Sequence, residues 1–188
     1  MNASTREPRL RVREMTGTDI DAVSAVRVAG WRHAYAGLMP QSYLDRLSPT
    51  EDAERRRASF HGTPHAGANA AGTPTNLVAE APDGSVVGWA AYGPVQGEEA
   101  GEALPGEGEL YALYARPDLI GTGIGRALMD EVLRRGVFPG LRLWVVEGNT
   151  LARRFYERAG FHADGAAAAY EVDGVSVPEV RYRRAATH

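Results

Sequence analysis

The chain has no cysteine, no apolar run long enough to cross a bilayer and no excess of positive charge. Without cysteine there is no disulfide, no thiolate nucleophile and no cysteine metal site. A helical span needs roughly 20 apolar residues, which no segment here approaches. The net charge is −3, whereas nucleic-acid-binding domains usually carry a basic face. These absences argue against nucleic-acid and membrane partners. The spacing of the histidines does not fit a metal site either.

What is present is ordinary for one soluble domain. The 188 residues are 44% hydrophobic and 24% charged, which is enough for one proper core but not for two. The opening stretch "MNASTREPRL" is polar and lacks the apolar centre of a secretory signal, so we expect a cytoplasmic protein. We predict a flexible tail over residues 1–8 and a single domain over residues 9–186.

Hydrophobic periodicity predicts the element order β-α-α-α-β-β-β-α-β-α-β-β, which is an α/β protein with a mixed sheet. The first helix is predicted to begin at an N-cap on Thr18, with Asp21 three positions later, and to be interrupted near Gly30. The strand "ELYALYA" is predicted to start at Glu109, and "LRLWVV" reads as a central apolar strand. Two low-complexity loops are predicted over residues 62–75 and 94–108.

The stretch "ARPDLIGTGIGRALMDEVL" places a glycine-rich turn directly before an amphipathic helix. A helix N-terminus offers unpaired N–H groups and a favourable dipole to an anion. Gly121, Gly123 and Gly125 leave the main chain open to a phosphate because they carry no Cβ. The turn therefore favours phosphate binding, and the competing interpretation is a tight turn without a ligand.

Two phosphate-binding motifs fit this turn poorly. A Walker loop needs lysine followed by serine or threonine after its last glycine, but Arg126 and Ala127 stand there. A Rossmann fingerprint needs G-x-G-x-x-G, and the sixth position counted from Gly121 is again Arg126. Glu147 lies about 20 residues downstream, where a ribose-binding acid would be expected. A dinucleotide site therefore stays a minor alternative.

A third interpretation covers residues 10–184. The segments "ELYALYARPDLIGTGIGRALMDEVL" and "LWVVEGNTLARRFYERAGF" resemble, in this order, two motifs of the GNAT acetyltransferase superfamily. The segment "GWRHAYAGLMPQSYLDRL" resembles the opening helices of many members. The resemblance implies a single-domain GNAT fold, in which a central mixed twisted sheet is flanked by helices and splayed between strands 4 and 5. Acetyl-CoA would enter that splay.

The resemblance also implies which residues bind the coenzyme. Gly123 and Gly125 match the glycines of the family loop, whereas Ile120 stands where the family has arginine or glutamine. Asn149 matches an asparagine beside the pantetheine arm, although a plain helix cap is its rival role. The main chain of Leu113, Tyr114 and Ala115 would pair with the pantetheine amides. The full implied set is Leu113, Tyr114, Ala115, Ile120, Gly121, Thr122, Gly123, Ile124, Gly125, Arg126, Asn149 and Tyr156.

For the chemistry, the resemblance implies Tyr156 as the acid that protonates the departing sulfur and Glu109 as a base acting through water. A core aromatic and a solvated glutamate are the competing interpretations. An acceptor pocket could draw on a set of aromatic and histidine side chains, of which Trp31, Tyr35 and Trp89 are expected to be mostly core. That set is Trp31, His33, Tyr35, Trp89 and Tyr92.

The predicted function is N-acetyl transfer from acetyl-CoA to a primary amine on a small molecule or a protein N-terminus. The transfer would be direct, in a ternary complex, and the lack of cysteine agrees with that route. The alternative is a CoA-binding module without activity. Homodimers are common in the family, so a homodimer is possible here.

Overall fold

The computed structural model describes residues 10–60, 74–97 and 103–185. The predicted tail, most of the first low-complexity loop and part of the second lie outside them. The strands are β1 Arg11–Glu14, β2 Thr75–Glu80, β3 Val86–Pro94, β4 Glu107–Ala115, β5 Gly140–Val146, β6 His162–Val172 and β7 Val175–Arg184. The helices are α1 Ile20–Ala34, α2 Gln41–Arg46, α3 Pro49–Ser59, α4 Ile124–Arg135 and α5 Thr150–Arg158.

The seven described strands form one sheet in the order β1-β2-β3-β4-β5-β7-β6. Neighbouring strands are antiparallel except β4 and β5, which are parallel. A parallel pair needs a crossover, and α4 supplies it between β4 and β5. The predicted α/β class and mixed sheet are thus confirmed.

Each face of the sheet is covered by different helices. On β2 the side chains alternate, so Leu77 packs in the same core cluster as Leu128 of α4. Val78 points to the opposite face and packs in the cluster that contains Val23 of α1. A third cluster joins Leu44 of α2 to the end of β5. The chain therefore forms a helix–sheet–helix sandwich.

The first helix does not begin at the predicted N-cap, since Asp19 is the N-cap of α1. A 3-10 turn, Gly17–Asp19, precedes α1, and Thr16 is its N-cap. The main-chain N–H of Thr16 donates to the carboxylate of Asp19 at 2.7 Å, and Arg13 binds the same carboxylate at 2.7 Å. The prediction of Thr18 with Asp21 was wrong by two residues, because sequence spacing cannot show that Asp19 is also held by an arginine on β1.

The predicted interruption near Gly30 was also wrong. Helix α1 continues through Gly30 to Ala34. A Cβ at Gly30 would lie 2.8 Å from a ring carbon of Tyr114 on β4, which is closer than real Cβ contacts come. Glycine is needed there because β4 approaches the helix closely. It allows this close packing and does not interrupt the helix.

Two other local predictions are confirmed, and one strand starts earlier than predicted. The β2–β3 hairpin turns through Asp83 and Gly84, and Gly136 ends α4 in the left-handed region. Strand β4 begins at Glu107, two residues before the predicted start. Within the described residues, no helix is long and apolar enough to cross a membrane.

Candidate active site

The sheet parts between its two parallel strands. β4 and β5 pair at three positions, from Glu107 opposite Gly140 to Glu109 opposite Arg142. Beyond those positions β4 runs on to Ala115 and β5 to Val146. A cavity of about 950 Å³ opens in the gap between them. The predicted splay between strands 4 and 5 is therefore confirmed.

The glycine loop lines this cavity. Gly121 and Gly123 have positive φ, +88° and +98°, and a Cβ built at either position would meet nothing within 4 Å. Gly123 is the N-cap of α4, so the free N–H groups of the first helical turn follow it directly. The loop thus exposes main-chain donors, with no side chain in front of them.

Most of the residues predicted from the sequence line the cavity, and two do not. The side chain of Ile124 is buried in the core, and the Thr122 hydroxyl donates to the carbonyl of Leu119 at 2.7 Å. Arg126 lines the cavity. Its Nε also lies 3.6 Å from a carboxylate oxygen of Asp130, with which it forms an exposed ion pair on helix α4. The lining members of the predicted set are Glu109, Leu113, Tyr114, Ala115, Ile120, Gly121, Gly123, Gly125, Arg126, Asn149 and Tyr156.

Asn149 performs the cap role that competed with a ligand role. Its side-chain oxygen accepts from the N–H of Ala152 at 3.1 Å, which begins α5. The residue also lines the cavity. One asparagine therefore orders the helix that carries Tyr156 and borders the gap in the sheet.

Tyr156 projects from α5 into the same cavity. Its ring makes edge contacts with Phe155 and Phe161, at centroid distances of 5.3 and 6.0 Å. Burial raises the pKa of the Tyr156 phenol, and the nearby Tyr35 raises it further. The phenol therefore keeps its proton throughout the neutral and alkaline range in which enzymes work.

Two further phenols, Tyr35 and Tyr114, line the same cavity. The hydroxyl oxygens of Tyr35 on α1 and Tyr114 on β4 are 3.2 Å apart, and the Tyr114 ring stacks on Trp89. Burial raises the pKa of Tyr114 well above its ordinary value. The hydrogen bond joins the C-terminal end of α1 to the end of β4, and the stacked rings join β4 to β3.

Glu109 does not stand at a strand start in solvent. Nε of Arg142 donates to its carboxylate at 3.2 Å, and this guanidinium is fully buried. Glu109 and Arg142 are also the last paired residues of β4 and β5. The ion pair therefore lies where the strands part, and it orients the Glu109 carboxylate, which lines the cavity.

Arg142 is one of the residues that reasoning from the sequence missed. It lies within "LRLWVV", which reads as a central apolar strand. A fully buried arginine is rare unless it is paired, so its position among apolar neighbours was the available signal for a buried carboxylate partner.

Aromatic side chains form part of the wall of the cavity. Trp31 and Tyr35 line it, as does the exposed His33, whereas Trp89 and Tyr92 are buried in the core. The expectation that Trp31 and Tyr35 are mostly core was thus only partly right, since both are half-buried. The wall is completed by Tyr170 of β6 and Glu179 of β7, which nothing in the sequence indicated.

No metal site accompanies these groups in the described part of the chain. Residues 10–60, 74–97 and 103–185 contain no group of three or more His, Cys, Asp or Glu side chains placed to hold an ion. The polar groups that line the cavity include phenols, carboxylates, His33, Arg126 and Asn149.

A mixed sheet that parts at a parallel pair, with a glycine loop leading into the gap, defines a class of acyl-transferring enzymes. A model of the Acetyltransferase (GNAT) family matches residues 35–161. The uncharacterised N-acetyltransferase YuaI of Bacillus subtilis is 32% identical over 142 residues, which are 73% of this chain and 72% of that protein. The chain therefore belongs to the GNAT acetyltransferase family and is an acyltransferase.

Two further comparisons agree with this membership. A probable N-acetyltransferase of Mycobacterium tuberculosis is 28% identical over 179 residues, 93% of this chain and 92% of its own. The crystal structure of the PaiA N-acetyltransferase of Thermoplasma acidophilum, in complex with coenzyme A, matches with a TM-score of 0.60 at 18% identity. The match covers 94% of this chain and 98% of that one. Family membership removes the dinucleotide-binding alternative.

Proposed function

We propose that the protein transfers an acetyl group from acetyl-CoA to a primary amine, directly and in a ternary complex. One observation carries the proposal: a single cavity is lined by the glycine loop, by the unpaired part of β4 and by Tyr156 and Glu109. The donor and the acceptor can therefore meet in the gap without a covalent enzyme intermediate. The coenzyme A in the PaiA structure supports the choice of donor.

The cavity suits coenzyme A by its shape and its donors. The main chain of residues 120–126 would hold the diphosphate, because Gly121 and Gly123 leave it uncovered and α4 begins there. The unpaired part of β4 at Leu113, Tyr114 and Ala115 would bond to the pantetheine amides as a neighbouring strand does. Arg126 adds positive charge at the phosphate end, and the family arginine or glutamine is absent at Ile120.

Each proton has a proposed route. Glu109 accepts the proton of the incoming ammonium through water, since only a neutral amine has the lone pair needed for attack. The amine nitrogen bonds to the thioester carbon, the carbon–sulfur bond breaks, and Tyr156 gives its proton to the departing sulfur. The nitrogen then loses its second proton to water, and the phenol regains one.

A thiol-release assay with an amine panel tests the proposal. The chain contains no lysine, so its own side chains offer no amine to acetyl-CoA and the background stays low. We expect free thiol in step with N-acetyl product for at least one small amine or peptide N-terminus. Tight binding of coenzyme A without thiol release on any amine would instead identify a binding module.

Replacing Tyr156 with phenylalanine tests the acid. The change removes one hydroxyl and keeps the ring that packs between Phe155 and Phe161. We expect kcat to fall by about 10²–10⁴, the usual contribution of a positioned acid. The melting temperature and the affinity for coenzyme A should stay close to wild type.

The matched control is Tyr170→Phe, which removes a phenol from the wall of the same cavity. An undiminished kcat in Tyr156→Phe, or an equal loss in both variants, would show that Tyr156 is a packing residue.

A further inference from the structure

Helix α5 carries Tyr156, but none of the side chains of this helix is fully buried. Phe155 and Tyr156 pack against the main core cluster as partly buried side chains, as does Ala152. Apolar contacts are non-directional, so they hold the helix on the sheet without fixing its rotation about its own axis. The direction in which Tyr156 projects therefore depends on directional contacts, which are hydrogen bonds.

Tyr182 on β7 supplies two hydrogen bonds to this helix. Its side chain is only 1% exposed. The phenol oxygen accepts from Nε of Arg153 at 3.0 Å, and the phenol donates to the carboxylate of Glu157 at 2.9 Å. A hydroxyl has one proton to donate and lone pairs to accept, so the two bonds form together. One side chain of the sheet thus binds α5 at two points.

Arg153 extends this connection to the strands on either side. Its Nη1 donates to the main-chain carbonyl of Glu147 at 3.0 Å, and the N–H of Glu147 donates to the carbonyl of Pro178 on β7 at 2.8 Å. Hydrogen bonds with a charged partner are roughly twice as strong as neutral ones, and both bonds of the phenol are of this kind. We call Arg153, Tyr182 and Glu157 the Tyr182 bridge.

The Tyr182 bridge lies close enough to Tyr156 in the helix to set its direction. Arg153 and Glu157 are four residues apart and therefore share one face of α5. Tyr156 projects about 60° from the first and about 100° from the second around the helix axis. Side chains reach about 5–6 Å from that axis, so a rotation of about 10° moves a side-chain tip by roughly 1 Å. A misplacement of about 1 Å can slow a reaction by about 100-fold.

We propose that Tyr182 is a positioning residue: its hydroxyl fixes the rotation of α5 and thereby orients the Tyr156 phenol towards the departing sulfur. This inference rests on the proposed function, in which Tyr156 is the acid. Tyr182 is buried in the core and is not among the residues that line the cavity. It therefore acts through Tyr156 and exchanges no proton with a substrate.

Replacing Tyr182 with phenylalanine tests the inference, because the change removes the hydroxyl and keeps the ring in the core. We expect kcat to fall by about 10- to 100-fold, with KM for acetyl-CoA close to wild type. In a Tyr156→Phe background the same replacement should lower kcat no further, since no acid is left to orient. A purely structural role would instead lower kcat by the same factor in both backgrounds.

A second variant tests the bridge without a change in the core. Glu157 is exposed, so Glu157→Ala removes one partner of the phenol at the surface. This variant should show a smaller loss of kcat, which should again be absent in the Tyr156→Phe background. The matched control is Arg154→Ala, an exposed position of the same helix that does not line the cavity, and its kcat should equal that of wild type.

Two results would overturn the inference. One is a wild-type kcat in both Tyr182→Phe and Glu157→Ala, and the other is a loss that persists in full when Tyr156 is already phenylalanine. A wild-type kcat in Tyr156→Phe alone would contradict the acid assigned in the proposed function, so the two failures are distinguishable.

Discussion

The glycine loop gives the sharpest test of how the coenzyme is held. Gly123 has a φ of +98° and Gly84, in the β2–β3 turn, has a φ of +85°; a Cβ at either position meets nothing within 4 Å. Valine at both positions should therefore cost similar stability, about 1–2 kcal/mol or more, because a branched side chain is strained in the left-handed region. For a chain of this size each kcal/mol lowers Tm by about 2–4 °C.

Only one of these two glycines borders the cavity. In wild type, coenzyme A at 100 times its Kd should stabilise the fold by about 2.7 kcal/mol, which raises Tm by about 5–11 °C. If the Cβ of Gly123→Val blocks the diphosphate and weakens binding about 100-fold, the same concentration contributes only about 0.4 kcal/mol, or about 1 °C.

The assay is a thermal melt of wild type, Gly123→Val and Gly84→Val with and without coenzyme A. We expect both variants to melt lower than wild type without ligand and only Gly84→Val to keep the full ligand shift. Equal ligand shifts in the two variants would refute the reasoning, since the glycines of the loop would then serve the turn alone.

Two further predictions concern the ion pairs. Glu109→Gln should destabilise the fold by about 1–3 kcal/mol, because it removes the carboxylate that pairs with buried Arg142. The double variant Glu109→Gln/Arg142→Met should have a higher melting temperature than the single variant, but its turnover should remain slow. If the double variant regained turnover, Glu109 would not be the base. The second prediction is a pH dependence at Asp19, whose pKa the hydrogen bond from Arg13 lowers from 3.8 to about 2. A lowered pKa means that this stabilisation is complete above about pH 4 and is lost as the pH falls towards 2, so wild type should lose about 2 kcal/mol more than Asp19→Asn over that range. Denaturant unfolding at each pH measures it, and equal losses in both proteins would contradict the ion pair.

Local patterns sufficed for much of the fold. The period of apolar residues located the strands and helices, since side chains in each element must face one core. The predictions at Gly30 and Thr18 were wrong because distant contacts determine the local structure there. At Gly30 the ring of Tyr114 on β4 lies close to α1, and near Thr18 an arginine on β1, Arg13, binds Asp19.

Only part of the candidate site could likewise be predicted from the sequence. The glycine loop and Tyr156 belong to contiguous motifs, so the sequence alone indicated them. Glu179 and Tyr170 come from strands that enter the cavity only because β7 lies between β5 and β6. No spacing along the chain encodes that order. Arg142 is an intermediate case. The sequence shows its charge within an apolar strand, but its role becomes clear only when its partner, Glu109, is known.

The parting of β4 from β5 leaves two strand edges inside the molecule. In the described chain, the amide and carbonyl groups that face the gap beyond Glu109 and Arg142 are not taken up by strand pairing. On an outer edge such groups would invite another protein to add a strand. Here residues of helices α1 and α5 line the opening, so the two unpaired edges lie within the cavity and not at the outer rim of the sheet. The fold thus keeps edge groups that could promote aggregation away from other proteins.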